Sequence, residues 1–303
     1  MKFGNVCLVG RPNAGKSTLL NRLVGAKIAI VSDKPQTTRT RILGVRNYEN
    51  AQVAFLDTPG IHRPLHRLNV RMMDATVDAM SSVDVVGLVV DAGEPRGKGD
   101  QYVMDLVKHV DAPVFLVLNK VDLVRKSSLL PVIERFAKAG RFAEIVPMSA
   151  ATGENVDRFE KAVIARLPEG EAMYPVDYLT DQPERVLVAE IVREKLLQVT
   201  RDEIPFASAV TIDRWEEPAD RASGQASILR VHCTILVDRE SQKPIVIGKG
   251  GEMIKRIGTA ARLELEEFFG VRVFLDLHVR VRAEWREDER VLNEIGVVRT
   301  AGS

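Results

Sequence analysis

The stretch Val6-Cys7-Leu8-Val9-Gly10-Arg11-Pro12-Asn13-Ala14-Gly15-Lys16-Ser17-Thr18-Leu19-Leu20 decides how the chain is read. An apolar, strand-like run enters the pattern G-x-x-x-x-G-K-S, and a helix-like segment leaves it. In that setting the glycines let consecutive backbone N–H groups curl around phosphate oxygens, with a helix N-terminus behind them. Lys16 supplies a point charge for the outer phosphates, and Ser17 an oxygen for Mg²⁺. Gly10, Asn13, Ala14, Gly15, Lys16, Ser17 and Thr18 are the candidate phosphate-binding residues.

Outward from this loop, apolar runs recur at 53–57, 85–91, 114–119 and 145–149, separated by segments of helical period such as 18–24, 101–110 and 156–167. Apolar runs without alternation read as strands buried on both faces, hence a mainly parallel sheet flanked by helices. The run 41–48, followed by 51–57 across Glu49-Asn50, reads as a hairpin that adds one antiparallel edge strand. Leu167-Pro168-Glu169-Gly170 ends the pattern. Prolines 168, 175 and 183 mark a linker lying over the surface. The expected organisation is an α/β phosphate-loop domain at 1–168, a linker at 169–183 and a second, α+β domain at 184–303.

Composition excludes other classes. The 303 residues are 45% hydrophobic and 28% charged, which rules out a disordered or fibrous chain. No apolar run approaches the roughly 18 residues of a membrane span, and no signal peptide is read at the start. Only Cys7 and Cys233 are present, in separate apolar stretches. A disulfide framework and a Cys-type zinc site are excluded, and a reducing, cytoplasmic compartment is expected. Residues 1–179 carry 24 Lys and Arg against 20 Asp and Glu; residues 180–303 carry 19 against 22. A nucleic-acid site in the second half must therefore be a local patch.

A phosphate loop alone does not separate kinases, ATPases and GTPases. Asp57-Thr58-Pro59-Gly60 ends one strand, where Asp57 reaches the Mg²⁺ shell and the Gly60 N–H a γ-phosphate. Asn119-Lys120-Val121-Asp122 ends another. A carboxylate there accepts from guanine N1–H and its N2 amine, and adenine offers neither donor. Losing such a partnered contact costs on the order of 10⁴-fold in discrimination. Ser149-Ala150 would direct a backbone N–H at guanine O6. Each element ends a strand, at the edge where open α/β sheets bind ligands. Together they are the GTPase signature, and the N-K-x-D box sets a kinase reading aside.

Asn13, the Gln36-Thr37-Thr38-Arg39-Thr40 segment and D-T-P-G together resemble a bacterial, translation-factor-related branch of GTPases. The resemblance implies that a threonine of this segment ligates Mg²⁺ beside Ser17 and Asp57: Thr38, or failing it Thr37. Where Ras-like proteins carry a water-orienting Gln, this chain has Ile61, and His62 and His66 read as solvated loop residues. The resemblance implies instead that Asn13 helps hold a potassium ion beside the β- and γ-phosphates, in the role of an arginine finger. A slow enzyme with no assigned general base is expected.

Ile245-Val246-Ile247-Gly248-Lys249-Gly250-Gly251-Glu252-Met253-Ile254-Lys255 places G-x-x-G between an extended run and a helix. This is the KH signature, a loop whose glycines let the backbone approach the sugar-phosphate chain and clamp about four single-stranded nucleotides. Lys243, Lys249, Lys255 and Arg256 against Glu252 give a local net charge of +3. Ile247, Gly248, Lys249, Gly250, Gly251, Lys255 and Arg256 are the candidate RNA contacts. A helix coming first, at 184–201, fits the type II KH order.

A GTPase domain followed directly by a KH domain resembles the Era family over essentially the whole chain. Double-GTPase relatives would need a second phosphate loop, which the sequence lacks. The resemblance implies GTP and GDP, Mg²⁺ and K⁺ as cofactors. It implies the 3′ end of 16S rRNA and the 30S subunit as partners, and small-subunit maturation as the task. It also implies peripheral inner-membrane contact and a monomer. The alternative is a membrane-associated signalling GTPase whose KH-like domain binds protein.

Overall fold

β1 (Lys2–Val9) becomes wholly buried toward its C-terminal end, so it belongs inside a sheet and not at its margin. In the computed structural model, which describes all residues except 62–65, 95–97, 202–203, 218–227 and 299–303, β1 lies in a six-stranded sheet. The order is β2 (Ile42–Tyr48), β3 (Ala51–Asp57), β1, β4 (Val85–Asp91), β5 (Val114–Asn119) and β6 (Glu144–Pro147). The pair β2–β3 is antiparallel and pairs Tyr48 with Ala51, so the hairpin turns on Glu49-Asn50. All other pairs are parallel.

Parallel strands require crossovers, and these are helices on both faces. Helices α1 (Lys16–Val24) and α5 (Val156–Arg166) cover one face through Leu19, Leu20, Leu23, Phe159 and Val163. Helices α2 (Arg67–Ser81), α3 (Lys98–Val107) and α4 (Lys126–Ala139) cover the other through Met73, Met80, Val103, Met104 and Phe136. The C-terminal ends of β1, β3, β4, β5 and β6 share one edge. β1 sends its connection toward the β2–β3 side, while β3 sends its own to β4 on the other, so the loop after β1 sits where the strand order reverses.

The chain divides into two compact units, the second beginning at Pro183. Segment 169–182, read from sequence as a linker, packs on the first unit. It bridges at Lys2–Glu169 and Gly44–Thr180, and the Val45 amide donates to the Leu179 carbonyl at 2.9 Å. It thereby covers β2, the open margin of the sheet, where unpaired strand edges otherwise invite aggregation. Gln52, fully buried, holds the strap from within. Its Oε1 accepts from the Met173 and Tyr174 amides at 2.8 and 2.9 Å, and its Nε2 donates to the Tyr174 carbonyl and Asn47 Oδ1 at 2.8 Å each.

The second unit opens with α6 (Glu184–Val199) and the short α7 (Ile204–Ala207), then β7 (Ser208–Glu216) and β8 (Ile228–Val237). Helices α8 (Lys243–Ile247) and α9 (Glu252–Phe269) follow, then β9 (Arg272–Val281) and α10 (Glu289–Glu294). The sheet order is β7-β8-β9, antiparallel then parallel. Odd-numbered β8 residues Leu229, Val231, Cys233, Ile235 and Val237 pack with Val188, Val192 and Leu196 of α6 and Ile257, Ala261 and Leu265 of α9. One sequence expectation is corrected: the run before G-x-x-G is helical, not extended. Three β-branched residues in a row suggested a strand, but Pro244 occupies the first turn of α8, where its missing N–H costs nothing. Burial pushes the thiols of Cys7 and Cys233 up to about 12 each, and they lie in different cores.

Gln52→Leu keeps the side-chain volume but strands two strap amides and a carbonyl. Each orphaned buried polar group costs about 1–3 kcal/mol. The variant should unfold at lower denaturant and gain protease cuts between 169 and 182, the second by mass mapping. Unchanged cutting would mean that the strap is held by its other contacts.

Candidate functional site

The phosphate loop is built by backbone conformations that few residues tolerate. Asn13 is left-handed (φ 62°), as asparagine readily allows, and Gly15 is left-handed (φ 95°) at the start of α1. A Cβ on Gly15 would stand 2.1 Å from the Asn119 amide nitrogen, so only glycine fits. No described side chain caps α1, which leaves its first N–H groups directed at the loop's hollow, an anion site by construction. Lys16 is buried; its ammonium donates to the carbonyls of Gly10 and Arg11 at 3.2 and 3.0 Å. Burial pulls its pKa down, with Asp57 acting against that.

Beneath the loop, three oxygens converge. Ser17 Oγ donates to Asp57 Oδ2 at 2.6 Å and lies 2.7 Å from Thr38 Oγ1, which is itself 3.4 Å from Oδ2. Asp57 is fully buried, and its Oδ1 accepts no hydrogen bond among the described residues. Burial pushes this carboxyl up; Lys16, the two hydroxyls and the Thr58 amide draw it back. Two hydroxyls and a carboxylate with an open oxygen are a hard, all-oxygen set of the kind Mg²⁺ takes. Thr37 is not part of it: its hydroxyl donates to the Lys34 carbonyl at 2.6 Å, closing a turn.

The pocket above, about 370 Å³, is lined by Asn13, Gly15, Lys16, Ser17, Thr18, Thr38, Gly60 and Lys120 among others. Gly60 packs against Pro12, whose Cα would lie 2.7 Å from an added Cβ. Asn13 Nδ2 donates to the Asp33 carbonyl at 2.5 Å, tying the phosphate loop to the segment that carries Thr38. Ile61 is 2% exposed and packs with Cys7, Val9 and Leu43, so its side chain belongs to the core. His62 lies outside the described residues.

Asn119 ties the base-side loops together. Its Nδ2 donates to the Ala14 carbonyl at 2.8 Å, and its Oδ1 accepts from the Ala150 amide at 2.9 Å. The Ser149 amide donates to the Glu154 carbonyl at 3.0 Å. Both amides of Ser149-Ala150, one of which the sequence expectation directs at guanine O6, thus donate within the protein. Lys120 is left-handed (φ 65°) and pairs with Asp91 Oδ2 at 2.6 Å. Asp122 follows in a short 3₁₀ turn, exposed to solvent.

In the second unit, Gly248 (φ 75°), Gly250 (φ 62°) and Gly251 (φ 82°) form the turn between α8 and α9. A Cβ at Gly248 would lie 2.8 Å from the Met253 amide nitrogen, while Gly250 and Gly251 face open space. Gly250, an x position of G-x-x-G, is therefore conformationally restricted too. Lys249, Lys255 and Arg256 are exposed, and Ile247 is half-buried. Of the candidate RNA contacts only Lys255 lines the adjoining groove of about 290 Å³, with Ile254, Gly258, Thr259, Arg262, Leu275 and Leu277. The others form the loop that begins α9. Sequence reading missed the groove walls because β9 reaches α9 only through tertiary packing. The i, i+4 spacing of Ile254 and Gly258 past the motif is the one local hint.

Relatives carry the same pair of sites. The family of 50S ribosome-binding GTPases matches residues 5–120, and the KH domain family matches 203–286. GTPase Era of Geobacter metallireducens is 49% identical over 295 residues, 97% of this chain and 97% of that protein. GTPase Era of Staphylococcus haemolyticus is 46% identical over 297 residues, 98% and 97% respectively. The crystal structure of Era in complex with MgGDPNP and nucleotides 1506–1542 of 16S ribosomal RNA has a TM-score of 0.92 at 42% identity, covering 98% of this chain and 99% of that one. An Aquifex aeolicus Era variant bound to GDP·AlF₄⁻ has a TM-score of 0.92 at 41% identity, covering 98% and 100%. With such identity over nearly the whole length, the chain belongs to the Era family of GTPases.

Proposed function

We propose that this GTPase is a nucleotide-gated assembly factor that binds the 3′ end of 16S rRNA and assists maturation of the 30S subunit. The observation that carries this reading is the pairing, in one chain, of a built nucleotide pocket with a KH groove. Era, 42% identical, holds MgGDPNP and 16S rRNA nucleotides together.

In this reading the N–H groups of Gly15, Lys16, Ser17 and Thr18 hold the β- and γ-phosphates, and the Lys16 ammonium faces them. Gly10 and Ala14 shape the loop through their carbonyls. Ser17 and Thr38 face Mg²⁺, with Asp57 behind them; the ion supplies charge neutralisation at the phosphates. Gly60 contacts the γ-phosphate. Asn119, Lys120 and Asp122 hold guanine, with Asp122 covered only once the base lies over it. The amide toward O6 is assigned to Ala151, the next residue after the committed pair. Asn13 Nδ2 is held by Asp33, which leaves Oδ1 as the atom able to accept K⁺. With Ile61 in the core, no described side chain at that position orients water, so hydrolysis is slow and the nucleotide acts as a switch.

The RNA enters the groove between α9 and β9, its backbone on the loop Gly248–Gly251 and Lys249, Lys255 and Arg256 at its phosphates. The protein works as a cytoplasmic monomer, its contact with the inner membrane peripheral. Among the described residues, no helix is long and apolar enough to cross a membrane.

Thr38→Ala should raise the Mg²⁺ concentration for half-maximal GTP hydrolysis about tenfold, since one of two hydroxyl ligands is lost. Thr37→Ala should leave it within about twofold. The reverse order, read from Mg²⁺ titrations, would move the ligand to Thr37.

Hydrolysis should be faster in KCl than in NaCl at equal ionic strength, and Asn13→Ala should remove the difference. Equal rates for the unchanged protein in both salts would sink the cation assignment.

Lys249→Asp with Lys255→Asp should weaken binding of a 16S 3′-end RNA at least about tenfold at fixed salt, with GTP affinity unchanged. Gly250 is left intact because its left-handed backbone would confound the result. A folded double variant that binds this RNA normally would favour the alternative in which the KH domain binds protein.

A further inference from the structure

A KH groove accounts for about four nucleotides. The RNA in the Era complex spans 1506–1542, 37 nucleotides in all. We propose that the open face of the KH sheet, turned away from α6 and α9, is a second RNA surface. There Phe274, framed by Arg230, His232 and Arg272, takes an unstacked base and its flanking phosphates. The proposal rests on the RNA-binding reading above and adds to it a second site.

Strand alternation assigns the face. In β9 the odd-numbered residues Val273, Leu275, Leu277 and Val279 pack toward the helices, so Arg272, Phe274, Asp276 and His278 lie on the opposite side. The register places Ile228 beside Arg272, Arg230 beside Phe274 and His232 beside Asp276. Phe274 is 44% exposed, a large aromatic ring left in water on a flat surface. Arg230 lies 5.5 Å from the centre of that ring, and the His232 ring lies 5.8 Å from it, tilted by 57°. Rings and guanidinium planes clustered on an open sheet are what single-stranded RNA stacks upon.

Charge favours a polyanion over an apolar partner. Around Phe274 stand Arg214, Arg230 and Arg272, with His232 and His278. Glu216 pairs with Arg214 and lies 4.0 Å from Arg230. Asp276 Oδ2 is shared by His232 Nδ1 and His278 Nε2 at 3.1 Å each. Arg272 is exposed, and the carboxylate that feels its charge, Glu266, is already paired with Arg262 at 2.8 Å. Among the described residues, only Ile228 adds exposed apolar surface there, too little for a protein-binding patch.

Continuity supplies the route. β9 is the edge strand of its sheet, and its Leu275 and Leu277 line the groove. Phe274 and Asp276 are their immediate neighbours on the other side of the strand. An RNA chain leaving the groove over this edge arrives at Phe274.

The test uses the full chain and two RNAs: one of about six nucleotides, enough for the groove alone, and one covering 16S nucleotides 1506–1542. Phe274→Ala, and separately Arg230→Gln with Arg272→Gln, should weaken the long RNA roughly tenfold and leave the short one within about twofold. The arginine pair should also lower the slope of log affinity against log salt by about one per residue removed. Phe274→Trp should show fluorescence quenching with the long RNA and none with the short one. Long-RNA affinity unchanged in both variants overturns the proposal, as does equal loss for both RNAs. Failure of the unchanged protein to bind either RNA overturns the RNA reading itself.

Discussion

A buried carboxylate holds the first unit's site in its working shape. Asp57 sits at the end of a strand whose every residue is buried, and a charge there is costly unless it is matched. Lys16, equally buried, is pushed in the opposite direction by the same desolvation. Neither makes a direct ion pair with the other; each instead leans on hydroxyls and carbonyls that a ligand can displace or share. A phosphate over Lys16 and a divalent ion at Asp57 would relieve both penalties together.

Asn119 makes the arrangement rigid. One amide side chain bonds the phosphate loop at Ala14 and the Ser149-Ala150 loop at Ala150, so a shift at the base is felt at the phosphates. Asn13 performs the matching task on the other side, through the Asp33 carbonyl. Between them, two asparagines fasten three separate loops to the same short turn.

Much of this was legible because it is local. The phosphate loop needs glycine where a Cβ would strike Asn119, and the hairpin turn needs two residues between runs of matched length. Such constraints act within a few residues and leave a pattern in the sequence. What was not legible depends on partners distant in the chain. The committed amides of Ser149 and Ala150 are set by Glu154 and Asn119, and the groove walls by the meeting of β9 with α9. The α8 helix was misread because Ile-Val-Ile has strand character, and proline at a helix start is informative only once the start is known. The strap reads as a prolyl linker because its bonds are made by backbone groups and by side chains far away in sequence, Gln52 of β3 and Asn47 of β2 among them.

The core position of Ile61 bears on timing. A side chain that packs with Cys7 and Val9 cannot also swing over a phosphate without opening a cavity, at a cost of a few kcal/mol for an isoleucine. The chain therefore gives up a water-orienting group at this position in exchange for a firmly seated strand end. On the proposed reading, the rate falls to whatever the loop amides, Lys16 and the ions achieve by charge alone. Slow turnover suits an assembly task. The nucleotide then reports the state of the site for as long as Thr38 stays over Ser17 and Asp57. Anything that moves the segment carrying Thr38 also moves Asp33, and with it the hydrogen bond to Asn13, so on that reading release of the segment would unmake both proposed ion positions at once.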